Sequence, residues 1–160
     1  MVERTVECTA SAEALWPALT DTERLNRAIG LGPITLTPND DATAARYLVK
    51  TVSGGFPLEY EERPYEWSAP HRFSVRRVVR RGLVSALAHS FALEPGAGGA
   101  GTRVRVRVVV TPKSALIAPV ARLQTARFVG KLADFVESVD REIAGAAAEP
   151  VRDAHVYEDT

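Results

Sequence analysis

The sequence has a single cysteine, Cys8, in 160 residues. An intramolecular disulfide is excluded, as is any metal site built on paired thiolates. Histidine is nearly as scarce. The three imidazoles, at positions 71, 89 and 155, stand at no metal-ligand spacing from one another or from Cys8. Net charge is absent too. Twenty Lys and Arg balance twenty Asp and Glu, so no overall field draws the protein toward nucleic acid or an acidic membrane. No apolar run approaches the roughly 18 residues of a membrane-spanning helix. The opening residues, Met1 to Glu7, lack the apolar centre of a signal peptide. These absences lead to the expectation of a cytoplasmic protein with no membrane span, no metal and no cofactor.

What is present is an ordinary globular mixture, 46% hydrophobic and 25% charged. A chain of this length buries about 70% of its unfolded surface, enough for a core without staples. Val2, Val6 and Cys8 alternate with Glu3, Thr5 and Glu7, which predicts a strand. Ser11 can cap a short helix over 12–19 carrying Leu15, Trp16 and Leu19. Thr20 to Glu23 has capping-box spacing, with Thr20 as cap, ahead of a second helix whose apolar face is Leu25, Ala28 and Ile29.

From position 34 to 111 the period becomes two. Six strands are expected, near 34–38, 43–52, 56–67, 71–80, 83–93 and 102–111, joined by short turns and therefore antiparallel. The last strand is the clearest: Val104, Val106, Val108 and Val110 oppose Arg103, Arg105 and Arg107. A long helix over about 113–147 follows. Its apolar stripe runs from Leu116, Val120 and Leu123 through Phe128 and Leu132 to Ile143, and Pro119 is able to move its start to Ala118. After position 145 the periodicity ends. Residues 1–145 are read as one domain and 146–160 as a tail or linker.

The order of strand, two short helices, six strands and a long helix implies an α+β architecture. A curved seven-stranded antiparallel sheet wraps around the C-terminal helix, leaving space for a small apolar ligand between them. The stretch Ser11-Ala-Glu-Ala-Leu-Trp16-Pro-Ala-Leu-Thr-Asp21 after the first strand, together with the long final helix, resembles the helix-grip (SRPBCC) superfamily. That superfamily includes START-related lipid carriers, pollen-allergen-like proteins and polyketide cyclase-like proteins. Asp21 to Arg27, Glu61 to Trp67 and Arg72 to Val75 are similar to a bacterial subgroup found ahead of class III adenylate or guanylate cyclase domains. The resemblance implies a regulatory domain with a downstream cyclase domain or protein partner.

Candidate ligand contacts follow from strand and helix parity: Tyr60, Tyr65, Trp67, Phe73, Phe91, Leu123 and Phe128, with Arg77 and His89 as polar members. Trp16 reads as a core anchor. Pro64 marks a bulge that turns both Tyr60 and Trp67 inward. A one-residue bulge at Gly82 sets Arg77 near Leu87 and His89 near Val75. Arg77 on that face either pairs internally, with Glu62 the candidate, or recognises a ligand anion; under a different register it reaches the surface. His89 is either a satisfied core group or an acid–base group, with Ser85 as a minor polar contact. The arginine run over 72–81 faces Glu59, Glu61, Glu62 and Glu66 across a hairpin and carries no stacking aromatics, so nucleic acid is not an expected partner. The glycine-rich 96–101 segment joins two strands and does not open a helix, so it is a turn and not a phosphate loop.

Three functions remain. The first is a non-enzymatic binding module for a small hydrophobic or amphipathic molecule. The second is a cyclase- or aromatase-like enzyme using His89 and Arg77. The third is a homodimer through the small-residue outer face or the long helix, without a ligand.

Overall fold

The computed structural model describes residues 1–39, 47–53 and 55–148; the side chains of Ser53, Phe56, Pro64, Tyr65 and Glu66 lie outside that description. The elements are β1 (Val2–Cys8), α1 (Ala12–Leu19), α2 (Thr22–Ile29), β2 (Thr35–Pro38), β3 (Tyr47–Ser53), β4 (Phe56–Ser68), β5 (Arg72–Arg81), β6 (Val84–Pro95), β7 (Thr102–Pro112) and α3 (Ala118–Ala148). The positions expected to open the third strand, 43–46, fall outside the described residues.

One antiparallel sheet of seven strands runs in the order β1-β7-β6-β5-β4-β3-β2. The hairpins stack from β2 through to β7, and β1 then closes onto β7, with Val6 opposite Val104. Alternation decides the faces. Val104, Val106 and Val108 are fully buried beneath α3, while Arg103, Arg105 and Arg107 line the outer face. Each buried valine contributes about 1.5–3 kcal/mol of transfer free energy.

Helix α3 packs on β1 and β7 through Val129, Leu132, Val136 and Val139, all at most 1% exposed, and α1 and α2 lie against it. Its C-terminal third is anchored at Asp140, whose carboxylate accepts from the backbone N–H of Thr9 (3.1 Å) and Ala10 (2.9 Å), just past β1. Lys131 Nζ donates to the Ile29 carbonyl at 3.0 Å, and Arg24 pairs with Glu142. Helix α2 is thereby tied to α3 at both ends.

Several local expectations are corrected. Asp21, not Thr20, caps α2, its carboxylate accepting from Arg24 N–H at 3.0 Å. Thr20 instead ends α1, its hydroxyl donating to the Trp16 carbonyl at 2.8 Å. The buried face of α2 is Leu25, Asn26 and Ile29, whereas Ala28 is exposed. Helix α3 begins at Ala118, the later of the two starts the sequence offers, because Pro119 is tolerated only in a first turn. The first part of its apolar stripe is uncovered: Leu116 is 92% exposed, Val120 50% and Leu123 53%.

Glycine is required at Gly101, where φ is +65° and a Cβ would stand 2.1 Å from the Cys8 carbonyl oxygen. This close approach lets the β6–β7 turn fold over the end of β1.

Candidate functional site

The site is built by two register changes. Between Arg63 and Glu66 the β4–β5 ladder slips, so that Glu62 faces Arg77 and Trp67 faces Phe73. At the β5–β6 turn, Gly82 adopts φ +151°. The resulting register sets Val75 opposite His89 and Arg77 opposite Leu87, as strand parity with a bulge requires. Phe73, Val75, Arg77 and Val79 are all buried on the concave face.

Buried apolar residues on that face fall into two groups. The larger joins α1, α2 and α3 to the strands β1, β5, β6 and β7; the smaller is Val49, Tyr60 and Val79. Arg77 stands across the division. Its guanidinium carbon lies 4.8 Å from the centre of the Tyr60 ring. Its Nε donates to Glu62 Oε2 at 3.1 Å, and its Nη2 donates to Asn26 Oδ1 at 3.3 Å. Glu62 is therefore the internal partner. Asn26 is a second one that sequence reasoning missed. The available signal was its position three residues before Ile29, on the same helical face.

His89 is different. It is 1% exposed, and among the described residues neither ring nitrogen has a hydrogen-bond partner. Phe73, Phe91 and Phe128 surround it at ring-centre distances of 6.2, 6.2 and 6.3 Å. Burial, then the positive charge of Arg77, push its pKa down to about 3. The imidazole is neutral at ordinary pH, with one nitrogen free to donate and one free to accept. An unbonded buried polar group costs about 1–3 kcal/mol, so this position is unfavourable for the protein by itself. Ser85 does not help: its hydroxyl donates to the Thr111 carbonyl at 3.1 Å, where the β6–β7 register slips.

The remaining expected contacts divide by exposure. Tyr60 and Phe91 are fully buried, and Phe91 stacks on Phe73 with a 13° interplanar angle. Burial pushes the Tyr60 hydroxyl upward in pKa. Phe128 is half-buried on α3. Trp67 is 63% exposed and meets Trp16 edge-on at 6.3 Å, so Trp16 forms a surface-reaching pair as well as packing on the core. Tyr65 falls outside the described side chains. Leu123 belongs to an apolar lip and not to the interior. Leu83 is 50% exposed, and its carbonyl accepts from Lys113 N–H at 3.3 Å where the chain leaves β7 for α3. Ala121 and Thr125 take the buried positions on that part of the helix.

Residues 1–143 match the family model described as polyketide cyclase / dehydrase and lipid transport. No curated protein matches the chain significantly. Among solved structures, the Zhui aromatase/cyclase from Streptomyces sp. R1128 is similar at TM-score 0.62 and 11% identity, over 92% of this chain and 98% of that one. The di-domain ARO/CYC protein StfQ of the steffimycin biosynthetic pathway is similar at TM-score 0.64 and 12% identity, over 90% of this chain and 51% of StfQ. Norcoclaurine synthase from Thalictrum flavum is similar at TM-score 0.59 and 18% identity, over 88% of this chain and 86% of that one. At these identities the likeness concerns the fold, which is the helix-grip arrangement.

Proposed function

This chain belongs to the polyketide cyclase / dehydrase and lipid transport family, and from that premise we propose that it is a binding module for a small, mainly apolar molecule bearing a hydroxyl or carbonyl group. One observation carries the reading: among the described residues, neither ring nitrogen of His89 has a hydrogen-bond partner, and three phenylalanines surround the ring. A neutral imidazole there can donate to a carbonyl or accept from a hydroxyl, while the aromatic walls take the apolar body. On this reading the ligand approaches over the exposed first turns of α3, where Val120 and Leu123 are half-exposed.

Binding is favoured over catalysis by the same residue. A general base works best with a pKa near the operating pH and an orienting partner. His89 has neither, and Arg77 is held by Glu62 and Asn26. The ligand's effect has a route outward. Arg77 holds α2 through Asn26, and α2 is held to α3 through Ile29 and Lys131. A ligand that prefers one setting of α2 shifts α3, the element that would lead into a following cyclase domain or meet a partner.

The test is native mass spectrometry of the purified chain, paired with titration by Nile red, a neutral apolar dye. The expected result is a retained small molecule or saturable dye binding. Leu123→Glu should weaken the dye by about tenfold with an unchanged melting temperature, since the position is half-exposed. Absence of both retained molecule and saturable binding overturns the reading. Turnover of a polyketide-like substrate that is lost in His89→Ala would replace it with the enzymatic one.

A further inference from the structure

The outer face of the sheet carries a feature remote from the concave site. The register sets Arg63 on β4 directly opposite Arg76 on β5, and Arg76 opposite Ala88 on β6. Two positions along, Ser74 faces Ser90, and Ser90 faces Arg107 on β7. Short side chains in the middle and long ones on both flanks leave a groove of about 640 Å³. Arg63, Arg72, Arg76 and Arg107 wall it, with Ser90 on its floor. Small-molecule sites occupy about 300–1,000 Å³.

The charge in this groove is poorly compensated. Like charges directly opposite on neighbouring strands are destabilising. Arg63 has Glu61 at 3.5 Å, but Glu61 is shared with Arg80. Among the described residues, no carboxylate pairs with Arg72, Arg76 or Arg107. Arg107 Nε donates to the Met1 sulfur at 3.0 Å, a weak acceptor. Among the described residues, the four arginines that line the groove thus have one carboxylate between them, Glu61, and Arg80 shares it. Elsewhere on the same face the rule is pairing: Arg103 with Glu7 at 2.6 Å and Arg105 with Glu94 at 3.0 Å. The run over 72–81 was expected to be neutralised across the hairpin. Among the described residues, Arg77 and Arg80 have carboxylate partners, whereas Arg72 and Arg76 have none.

We propose that this groove binds a phosphate ester of metabolite size carrying two or more negative charges. Guanidinium groups match phosphate oxygens in a two-pronged geometry and keep their charge at all working pH values. The Ser90 hydroxyl adds a donor at the floor. The groove is recessed between strands, which suits a small molecule better than a flat bilayer, and among the described residues no aromatic lines it to stack bases.

Calorimetric titration of the full chain with sodium tripolyphosphate, against sodium chloride at matched ionic strength, tests this. One saturable site per chain is expected, with a raised melting temperature. Arg72→Gln with Arg76→Gln should weaken it by about tenfold or more, since charge-assisted bonds to phosphate are lost. That variant relieves the Arg63–Arg76 opposition, so its fold should persist. Ser90→Glu, which places a carboxylate on the floor, is the second variant and should abolish binding. The proposal is overturned if binding is not saturable, or if both variants bind as the parent does. It is also overturned if phosphatidylserine vesicles or single-stranded RNA bind through Arg72 and Arg76 while tripolyphosphate does not.

Discussion

Arg77 and Glu62 stand directly opposite each other on neighbouring strands and form an ion pair on the concave face, Nε to Oε2 at 3.1 Å, with the Arg77 side chain 5% exposed. Such a pair is a weak source of net stability, because desolvation offsets the attraction, yet breaking it leaves a buried charge. Glu62→Leu should therefore destabilise by about 3 kcal/mol, and adding Arg77→Met should recover most of that loss. Urea unfolding of the two variants checks this. A double variant no more stable than the single one would refute it.

His89 makes stability depend on pH. In the unfolded chain an imidazole titrates near 6.5; in the fold it stays neutral down to about 3. Between those values the unfolded chain holds the extra proton. Stability therefore rises with pH across that window and is lost as pH falls through it, by at most about 1.4 kcal/mol per pH unit. His89→Leu should flatten this slope and raise stability at neutral pH by about 1 kcal/mol, while weakening Nile red. Unfolding curves from pH 4 to about 7 decide; an unchanged slope would count against the buried neutral imidazole.

Cys8 should be inert in the native protein. Burial, reinforced by the nearby carboxylates of Asp140, Glu7 and Glu137, pushes its thiol up to about 12. The thiolate is the reactive form, so Ellman's reagent should label the native chain only as fast as it opens. Denaturant should release one fast equivalent. Prompt labelling without denaturant would contradict the packing of β1 beneath α3.

Gly101→Ala should destabilise by about 2–4 kcal/mol, because it adds both a left-handed-region penalty and a clash with the Cys8 carbonyl. Thermal melting measures this. Gly98 also has positive φ but meets nothing within 4 Å, so Gly98→Ala should cost distinctly less.

The strand alternation from Val104 to Val110, the α1 boundaries and the long final helix were legible because period and capping are local signals. They were enough to give the α+β class, the hairpin order and, with two bulges allowed for, the meeting of Arg77 with Glu62 and of His89 with Val75. Asn26 as a partner of Arg77 was not legible, since it depends on how α2 lies over the sheet. Nor was the uncovered lip at Val120 and Leu123: a helix stripe records apolarity, but which half is covered depends on where α3 crosses β1 and β7. That Arg72 and Arg76 have no carboxylate partner among the described residues is likewise tertiary, because the slip between Arg63 and Glu66 decides which charges oppose them. Sequence by itself determined which way each side chain alternates, a consequence of backbone geometry. Only the tertiary structure decided which of those side chains found partners, because partnership depends on register and crossing between segments far apart in the chain.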